Sequence, residues 1–306
     1  MGSGVLIALD WGTTHVRAAL LGADGQALEE RNGESGVGHF TAAEFEARFD
    51  ELTEGWPNVP AVACGMVGSR QGWHEAKYLE CPASTDELAG ALSSFKVGER
   101  LVTIVPGLTV RHKASGHDVM RGEEAQLAGL IAREPDFSGT VVLPGTHSKW
   151  ARLDSGRIVD FQTYMTGEIY SALSKHTILS HSIDDSGAPL DDTAFRVAFG
   201  DVFFTNGSDW SRFFGIRAGQ LIVGEGLGEG AAKLSGTLIG AEFAAAVKDG
   251  FDDLSLTIIA SGELGRLYAA GAQVLAWEVT VYKGTDLVWP ALFSIAQAAN
   301  LMELNL

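Results

Sequence analysis

Along the first 31 residues, apolar runs alternate with polar turns. Positions 5–9, 16–21 and 27–31 read as three successive strands, joined by a Gly12-Thr13 turn and then by Ala23-Asp24-Gly25, an antiparallel meander. At 41–56 the apolar period lengthens to that of a helix, with Thr41 as N-cap and Glu44 three residues on completing a capping box. Asn58-Val59-Pro60 ends it, and a strand follows at 61–66. A short helix at 88–94, a strand at 101–105 and a helix at 123–133 complete the order β-β-β-α-β-α-β-α. The stretch 135–139 reads as a boundary.

After it the pattern restarts. Strands are expected at 140–144, 149–153 and 157–164, then a helix capped by Thr166. Residues 171–250 are mostly helical in period, including an amphipathic stretch at 231–248, which is too long for one crossover and predicts a helical insertion. A buried strand at 256–260 runs into Ser261-Gly262, a helix covers 264–273, and another covers 291–304. The opening segment 6–26 and the segment 141–161 share one grammar: an apolar run, a Gly-Thr turn, a second strand and a tight Gly turn, 133 positions apart from Thr13 to Thr146. Two domains, 1–138 and 139–306, follow from that repeat, as the length of 306 residues also suggests.

Composition narrows the partners. Lys and Arg total 22 against 39 Asp and Glu, a formal charge of −17, and no stretch gathers cations into a patch. Nucleic acid is therefore not expected as a partner. A free nucleotide would be repelled at long range, so a phosphate site must be locally positive, with Arg17, Lys149 and backbone N–H groups as candidates. Two cysteines without a CxxC pair, no signal peptide and no apolar window of about 18 residues point to a cytoplasmic protein that neither crosses nor docks on a membrane. Eight scattered histidines show no metal spacing.

The chemistry concentrates at the turns. In LDWGTT (9–14) an acid, Asp10, ends a buried strand; Gly12 lets backbone approach a phosphate, and Thr13 and Thr14 add hydroxyl donors. Asp10 would orient a magnesium ion, directly or through water, although an ordinary hairpin turn accounts for the same residues taken alone. The second copy, Gly145-Thr146-His147-Ser148-Lys149, has no acid in that place, so it offers donors without a metal ligand. No GxxxxGK[ST] sequence is present, which excludes a P-loop, and the GxGxxA match at 226–231 lacks a following βαβ unit.

The paired hairpins in this order resemble the actin-like ATPase and sugar kinase superfamily. More narrowly, DWGTTHVRA, GMVGSRQGW (65–73), DVMRGEEAQLAG (118–129) and LPGTHSKW resemble the 2-dehydro-3-deoxygalactonokinase family from end to end. The resemblance implies an α/β fold of two ribonuclease H-like (actin-like ATPase) domains with a central cleft and a helical insertion in the second. It implies ATP and Mg2+ as cofactors, a small sugar acid as partner, and phosphoryl transfer to the 6-hydroxyl of 2-dehydro-3-deoxy-D-galactonate. A homodimer is left open. Related kinases place a basic Asp at a Gly-Asp-x-Ala helix start, about 20 residues before the second turn; Glu123 matches it here, 23 positions before Thr146 and one methylene longer. Glu124 and Asp10 stay as alternatives for the base, and a helix N-terminus should lower the pKa of either glutamate. For the sugar acid, Ser69, Arg70, Gln71 and Trp73 follow a strand at its carboxyl end, with Arg121 and Glu168 as secondary candidates. Ser261, Gly262 and Leu264 match the adenosine side. The rival expectations are a kinase of this fold for another sugar or sugar acid, an actin-like ATPase switch, and a nuclease of the ribonuclease H type, which would want several carboxylates in one cleft.

Overall fold

A computed structural model describes residues 4–34, 36–37, 40–113, 116–184, 186–187, 190–205 and 210–302. The chain divides into two compact units. Unit 1 takes Met1–Ser138, Leu153–Asp160 and Gly284–Leu306; unit 2 takes Gly139–Arg152 and Phe161–Lys283. Chain order alone gives 1–138 and 139–306, so the hairpin segment at 153–160 and the last helix fall with the first unit.

In unit 1, β1 (Leu6–Trp11), β2 (Val16–Leu21) and β3 (Ala27–Gly33) form the expected meander, followed by α1 (Ala42–Leu52) and β4 (Ala61–Cys64). The Glu44 carboxylate accepts the Thr41 N–H at 2.6 Å, closing the start of α1 as the capping box requires. Then come β5 (Tyr78–Glu80), α2 (Thr85–Gly90), β6 (Ser93–Val97), β7 (Arg100–Ile104), β8 (Gly107–His112), β9 (Gly116–Met120) and α3 (Glu123–Arg133). The main sheet has the order β3-β2-β1-β4-β7-β6. β1 is antiparallel to β2 and parallel to β4, which is parallel to β7. With neighbours on both edges, β1 is apolar on both faces, as its sequence LIALDW requires.

Two expectations shift here. The helix placed at 88–94 lies earlier, because Ser84 accepts the Glu87 N–H at 3.2 Å and starts α2 at Thr85; from Ser93 the alternating SSFKV enters β6. A three-stranded sheet, β5-β8-β9, is an addition. Its β8–β9 hairpin carried a period-2 signal in LTVRH and HDVM that the longer helix-strand rhythm concealed.

Unit 2 is built on β10 (Gly139–Leu143), β11 (Ser148–Asp154) and β12 (Arg157–Tyr164), the last two apart from their hairpin end at 153–160, with α4 (Thr166–His176), α5 (Asp192–Phe203), α6 (Ser211–Val223), α7 (Leu227–Lys248), β13 (Ser255–Ile259), α8 (Gly262–Val274) and β14 (Glu278–Tyr282). Its sheet has the order β12-β11-β10-β13-β14, the same as β3-β2-β1-β4-β7, with β10, β13 and β14 mutually parallel. The helices α5, α6 and α7 are the predicted insertion; residues 185, 188–189 and 206–209 of that stretch lie outside the described residues. Thr166 is the first helical residue of α4 and Met165 its N-cap, one position from expectation. The unforeseen β14 completes the repeat with the alternating EVTVY.

The last helix, α9 (Thr285–Ala298), begins six residues before the expected 291, with Pro290 inside it. Pro290 and Asp286, whose carbonyl the proline leaves without its helical donor, are both exposed residues. Residues 303–304 of the expected helix lie outside the described residues. Leu287, Val288, Leu292 and Ile295 of α9 are buried. A Cβ on Gly129 of α3 would stand 2.0 Å from the Leu287 carbonyl oxygen, so only glycine lets α3 and α9 pack this closely. Among the described residues no helix is long and apolar enough to cross a membrane.

Candidate active site

In unit 1, Asp10 and Arg17 are register partners across β1 and β2, and their side chains form an ion pair, each about a quarter exposed. The Arg17 guanidinium also lies over the Trp289 ring, 5.6 Å from its centroid. Its charge is therefore already committed to Asp10. Cys64, the β4 partner of Asp10, directs its thiol at the other carboxylate oxygen at 3.9 Å. Burial and the Asp10 charge push the Cys64 thiol well up, so it remains protonated and able to donate. Gly12 is half-buried and donates its N–H to the His15 carbonyl at 2.9 Å, while Thr13 and Thr14 stand exposed at the tip.

The chain leaving β4 turns sharply. Gly65 has φ +93°, and a Cβ there would meet the Trp11 carbonyl oxygen at 2.7 Å. A 3-10 turn at Met66–Gly68 then delivers Ser69, buried, with its hydroxyl oxygen lacking any partner, and the exposed Arg70 and Gln71. Trp73 lies elsewhere: its ring stacks on Phe45 at 6.1 Å and meets Phe95 edge-on at 4.9 Å, within the aromatic core of the unit. Arg121 is fixed by a 2.7 Å bond from Nη2 to the Ala76 carbonyl and by the Tyr78 ring at 4.4 Å, leaving Nε and Nη1 without partners.

Gly122, at φ +109°, opens α3 directly against Gly65: a Cβ on it would come within 3.4 Å of the Gly65 Cα. The two acids that follow face different surroundings. Glu123 is half-buried and accepts the Arg121 N–H at 3.1 Å. Glu124 is fully buried, accepts the Gly122 N–H at 2.6 Å, and has its Oε1 unpartnered. Burial, reinforced by the Glu123 charge, pushes Glu124 up to about 8. This corrects the expectation that the helix N-terminus lowers both acids. A dipole contribution of about 0.3–1 kcal/mol cannot offset a desolvation cost of several kcal/mol.

In unit 2 the second turn stands beside α4. Thr146 and His147 are exposed, the Thr146 carbonyl accepts the Glu168 N–H at 3.0 Å, and a His147 ring nitrogen meets the Glu168 carboxylate at 2.5 Å. A Cβ on Gly167 would lie 2.5 Å from the Gly145 carbonyl oxygen, so glycine is what brings the N-terminus of α4 against the turn. Gly145, Thr146, Thr166 and Gly167 line a cavity of about 550 Å3, whose other walls include Tyr170, Leu238, Leu264, Leu267 and Tyr268 and the acids Asp184 and Glu263. Leu264 thus lines the cavity, while Ser261 caps α8 and Gly262 begins it at φ +64°. Ser148 and Lys149 are both buried; on a strand they point to opposite faces.

Sequence reasoning missed the tyrosines of this cavity and the acid behind it. Glu242 of α7 is buried, with Oε1 accepting the Trp150 indole N–H at 2.8 Å and Oε2 accepting the Tyr268 hydroxyl at 2.7 Å. A lone acid inside the apolar run LIGAEFAAAV was the available signal. Among the described residues no group of three or more His, Cys, Asp or Glu is placed to hold a metal.

Comparison with known proteins adds to this geometry. The family model described as 2-keto-3-deoxy-galactonokinase matches residues 10–295. "Probable 2-dehydro-3-deoxygalactonokinase DgoK1" of Rhizobium meliloti is 36% identical over 305 residues, 97% of this chain and 98% of the relative. The 2-dehydro-3-deoxygalactonokinase of Escherichia coli is 35% identical over 302 residues, 95% and 97% of the two chains. A crystal structure from Sinorhizobium meliloti, titled as a "putative 2-dehydro-3-deoxygalactonokinase protein", superposes with a TM-score of 0.88 at 35% identity, covering 96% of this chain and 98% of that one. The fold is that of the actin-like ATPases and sugar kinases.

Proposed function

The chain belongs to the 2-keto-3-deoxy-galactonokinase family, and from that premise we propose how its own residues divide the work of phosphoryl transfer. The enzyme is a carbohydrate kinase that uses ATP to phosphorylate 2-keto-3-deoxygalactonate, in galactonate catabolism. Transfer to the 6-hydroxyl, the residue roles below and a cytoplasmic setting are our reading. Two cysteines, both free, support that setting.

One observation carries the assignment of parts. The two Gly-Thr turns occupy the same place in two sheets of the same strand order, β1 to β2 and β10 to β11. Unit 2 receives the nucleotide: Thr146 and the backbone of Gly145 and Gly167, which line the cavity, serve the phosphates, with the exposed His147 beside them. Lys149, buried on the opposite face of β11 from Ser148, is not among the cavity's lining residues. The cavity's apolar walls, Leu264 among them, take adenosine. Unit 1 receives the sugar acid and the transferring phosphate. Thr13 and Thr14 supply donors, and Arg70 pairs the substrate carboxylate, with Ser69 and Arg121 offering donors that have no protein partner.

Asp10 would hold a magnesium ion that arrives on the nucleotide: it is about a quarter exposed at the turn and can exchange the Arg17 guanidinium for the ion, which needs one or two carboxylates besides its phosphate and water ligands. When bound, magnesium neutralises charge on the β- and γ-phosphates. Glu123 is the base for the 6-hydroxyl. At neutral pH the buried Glu124 holds its proton, whereas a base must be ionised, which favours Glu123 between the two.

A coupled ATPase assay with 2-dehydro-3-deoxy-D-galactonate, its gluconate epimer and a panel of sugars tests this reading. Turnover on the galactonate at least tenfold above every other acceptor is expected. Faster turnover on another sugar or sugar acid would install the rival kinase, and slow ATP hydrolysis that no acceptor stimulates would indicate an ATPase switch.

A further inference from the structure

Behind the second turn lies a closed chain of hydrogen bonds. Ser148 Oγ and Tyr268 Oη are 2.8 Å apart, Tyr268 donates to Glu242 Oε2 at 2.7 Å, and Trp150 Nε1 donates to Glu242 Oε1 at 2.8 Å. Ser148 and Trp150 are next-but-one on β11 and so share a face. All four side chains are at least 97% buried.

The buried Ser148 hydroxyl is engaged by Tyr268 and also hydrogen-bonds Glu242, so it is turned into this network rather than towards a phosphate. Thr166, which begins α4 and lines the nucleotide cavity, also hydrogen-bonds Glu242. One buried carboxyl is thus tied to the residue after the Gly145-Thr146-His147 turn and to the helix start that abuts the turn.

We propose that Glu242 and Tyr268 are positioning residues for nucleotide binding, holding the second Gly-Thr turn and the start of α4 in register through Ser148 and Thr166. This rests on the reading that the turn serves the phosphates of ATP. Ser148 is then an anchor of the turn, and the donors that meet phosphate are its neighbours. The arrangement suits a site that must present donors at fixed positions, because a satisfied buried network admits few alternative geometries.

The test is a double-variant cycle on ATP affinity, read by titration calorimetry with the full chain. Ser148→Ala and Tyr268→Phe should each weaken ATP about tenfold, and the double variant far less than the hundredfold product, since both break the same network. The KM for the sugar acid should stay within twofold of the parent. Glu242→Gln should restore most of the affinity lost in Glu242→Leu, because an amide can accept from Trp150 and donate to Tyr268, which then donates to Ser148. Losses that multiply to about a hundredfold would make Ser148 an independent phosphate donor and overturn the proposal, as would unchanged affinity in folded Tyr268→Phe. That variant deletes one oxygen and carries the test if Glu242→Leu does not fold. Thr146→Ala separates the two readings. If it weakens ATP while Tyr268→Phe does not, only the positioning role falls; if Tyr268→Phe weakens ATP and Thr146→Ala does not, both fall.

Discussion

The first Gly-Thr turn keeps its acid in the strand, whereas the second has its acid brought from a helix. Asp10 is part-exposed and ion-paired with Arg17 on the neighbouring strand. Glu242 is buried, lies 92 positions from Trp150, and is tied to the turn through Tyr268 and Ser148 and to the start of α4 through Thr166. A part-exposed ion pair contributes on the order of 0–1 kcal/mol to stability, so the Asp10 pair is better suited to placing charge than to holding the fold. A buried network with every member bonded does the reverse, fixing geometry while showing no charge. The repeat is thus one of backbone shape: unit 1 presents an acid at its turn, and unit 2 presents donors on a rigid support.

That division predicts which kinetic constant each region controls. The largest effect is expected for Glu123→Gln, which should cut kcat by about 10²-fold or more while leaving the KM for ATP within twofold. A comparable rise in the KM for ATP would erase the distinction between the two regions. Gly167→Ala should act on the other side. Its methyl would stand 2.5 Å from the Gly145 carbonyl oxygen, so the turn must move, and the KM for ATP should rise about tenfold with kcat changed less than threefold. If kcat falls instead, the second turn has a part in the chemical step.

The smallest effect on turnover belongs to Glu124→Gln, whose signature is in stability. The folded-state pKa of Glu124, about 8, lies above the ordinary 4.5, so the folded protein holds this proton more tightly than the unfolded chain. Its contribution is full below about pH 4.5 and is lost as pH rises towards 8, on the order of 5 kcal/mol across the whole span. Urea denaturation at pH 5 and pH 8 should show that decline in the parent and a flatter profile in Glu124→Gln. Equal slopes in the two proteins would mean that Glu124 is not protonated in the folded state.

Much of the scaffold was legible because periodicity and turn chemistry are local. The meander β1 to β3, the capping box of α1 and the helical insertion all follow from residues within a few positions of one another. The places where expectation slipped share a cause. The last helix is expected from 291 and begins at Thr285, because a proline weakens the helical signal of the residues before it and the sequence does not show that Asp286 and Pro290 are exposed. Trp73 stood beside polar loop residues, yet its neighbours Phe45 and Phe95 come from elements on either side of it in the chain. The adjacent Glu123 and Glu124 look alike in sequence, and only their burial separates a candidate base from a protonated acid. The Ser148–Tyr268–Glu242 chain spans 120 and 26 positions in its two links, beyond the reach of any spacing argument.

The return of α9 to unit 1 bears on how the protein is made. Glu30 waits for a hydrogen bond from Trp289, a partner 259 positions later, and Gly129 waits for Leu287. Unit 2, apart from the hairpin segment at 153–160, is one insertion within that wait. On a ribosome that delivers about 5–20 residues per second, the unit that begins first would therefore be completed last, some tens of seconds after its opening strands emerge. In the interval the apolar flank of α3 that α9 will cover is open to other chains. Synthesis rate and chaperone supply, more than the stability of the finished fold, would then set the yield of folded enzyme.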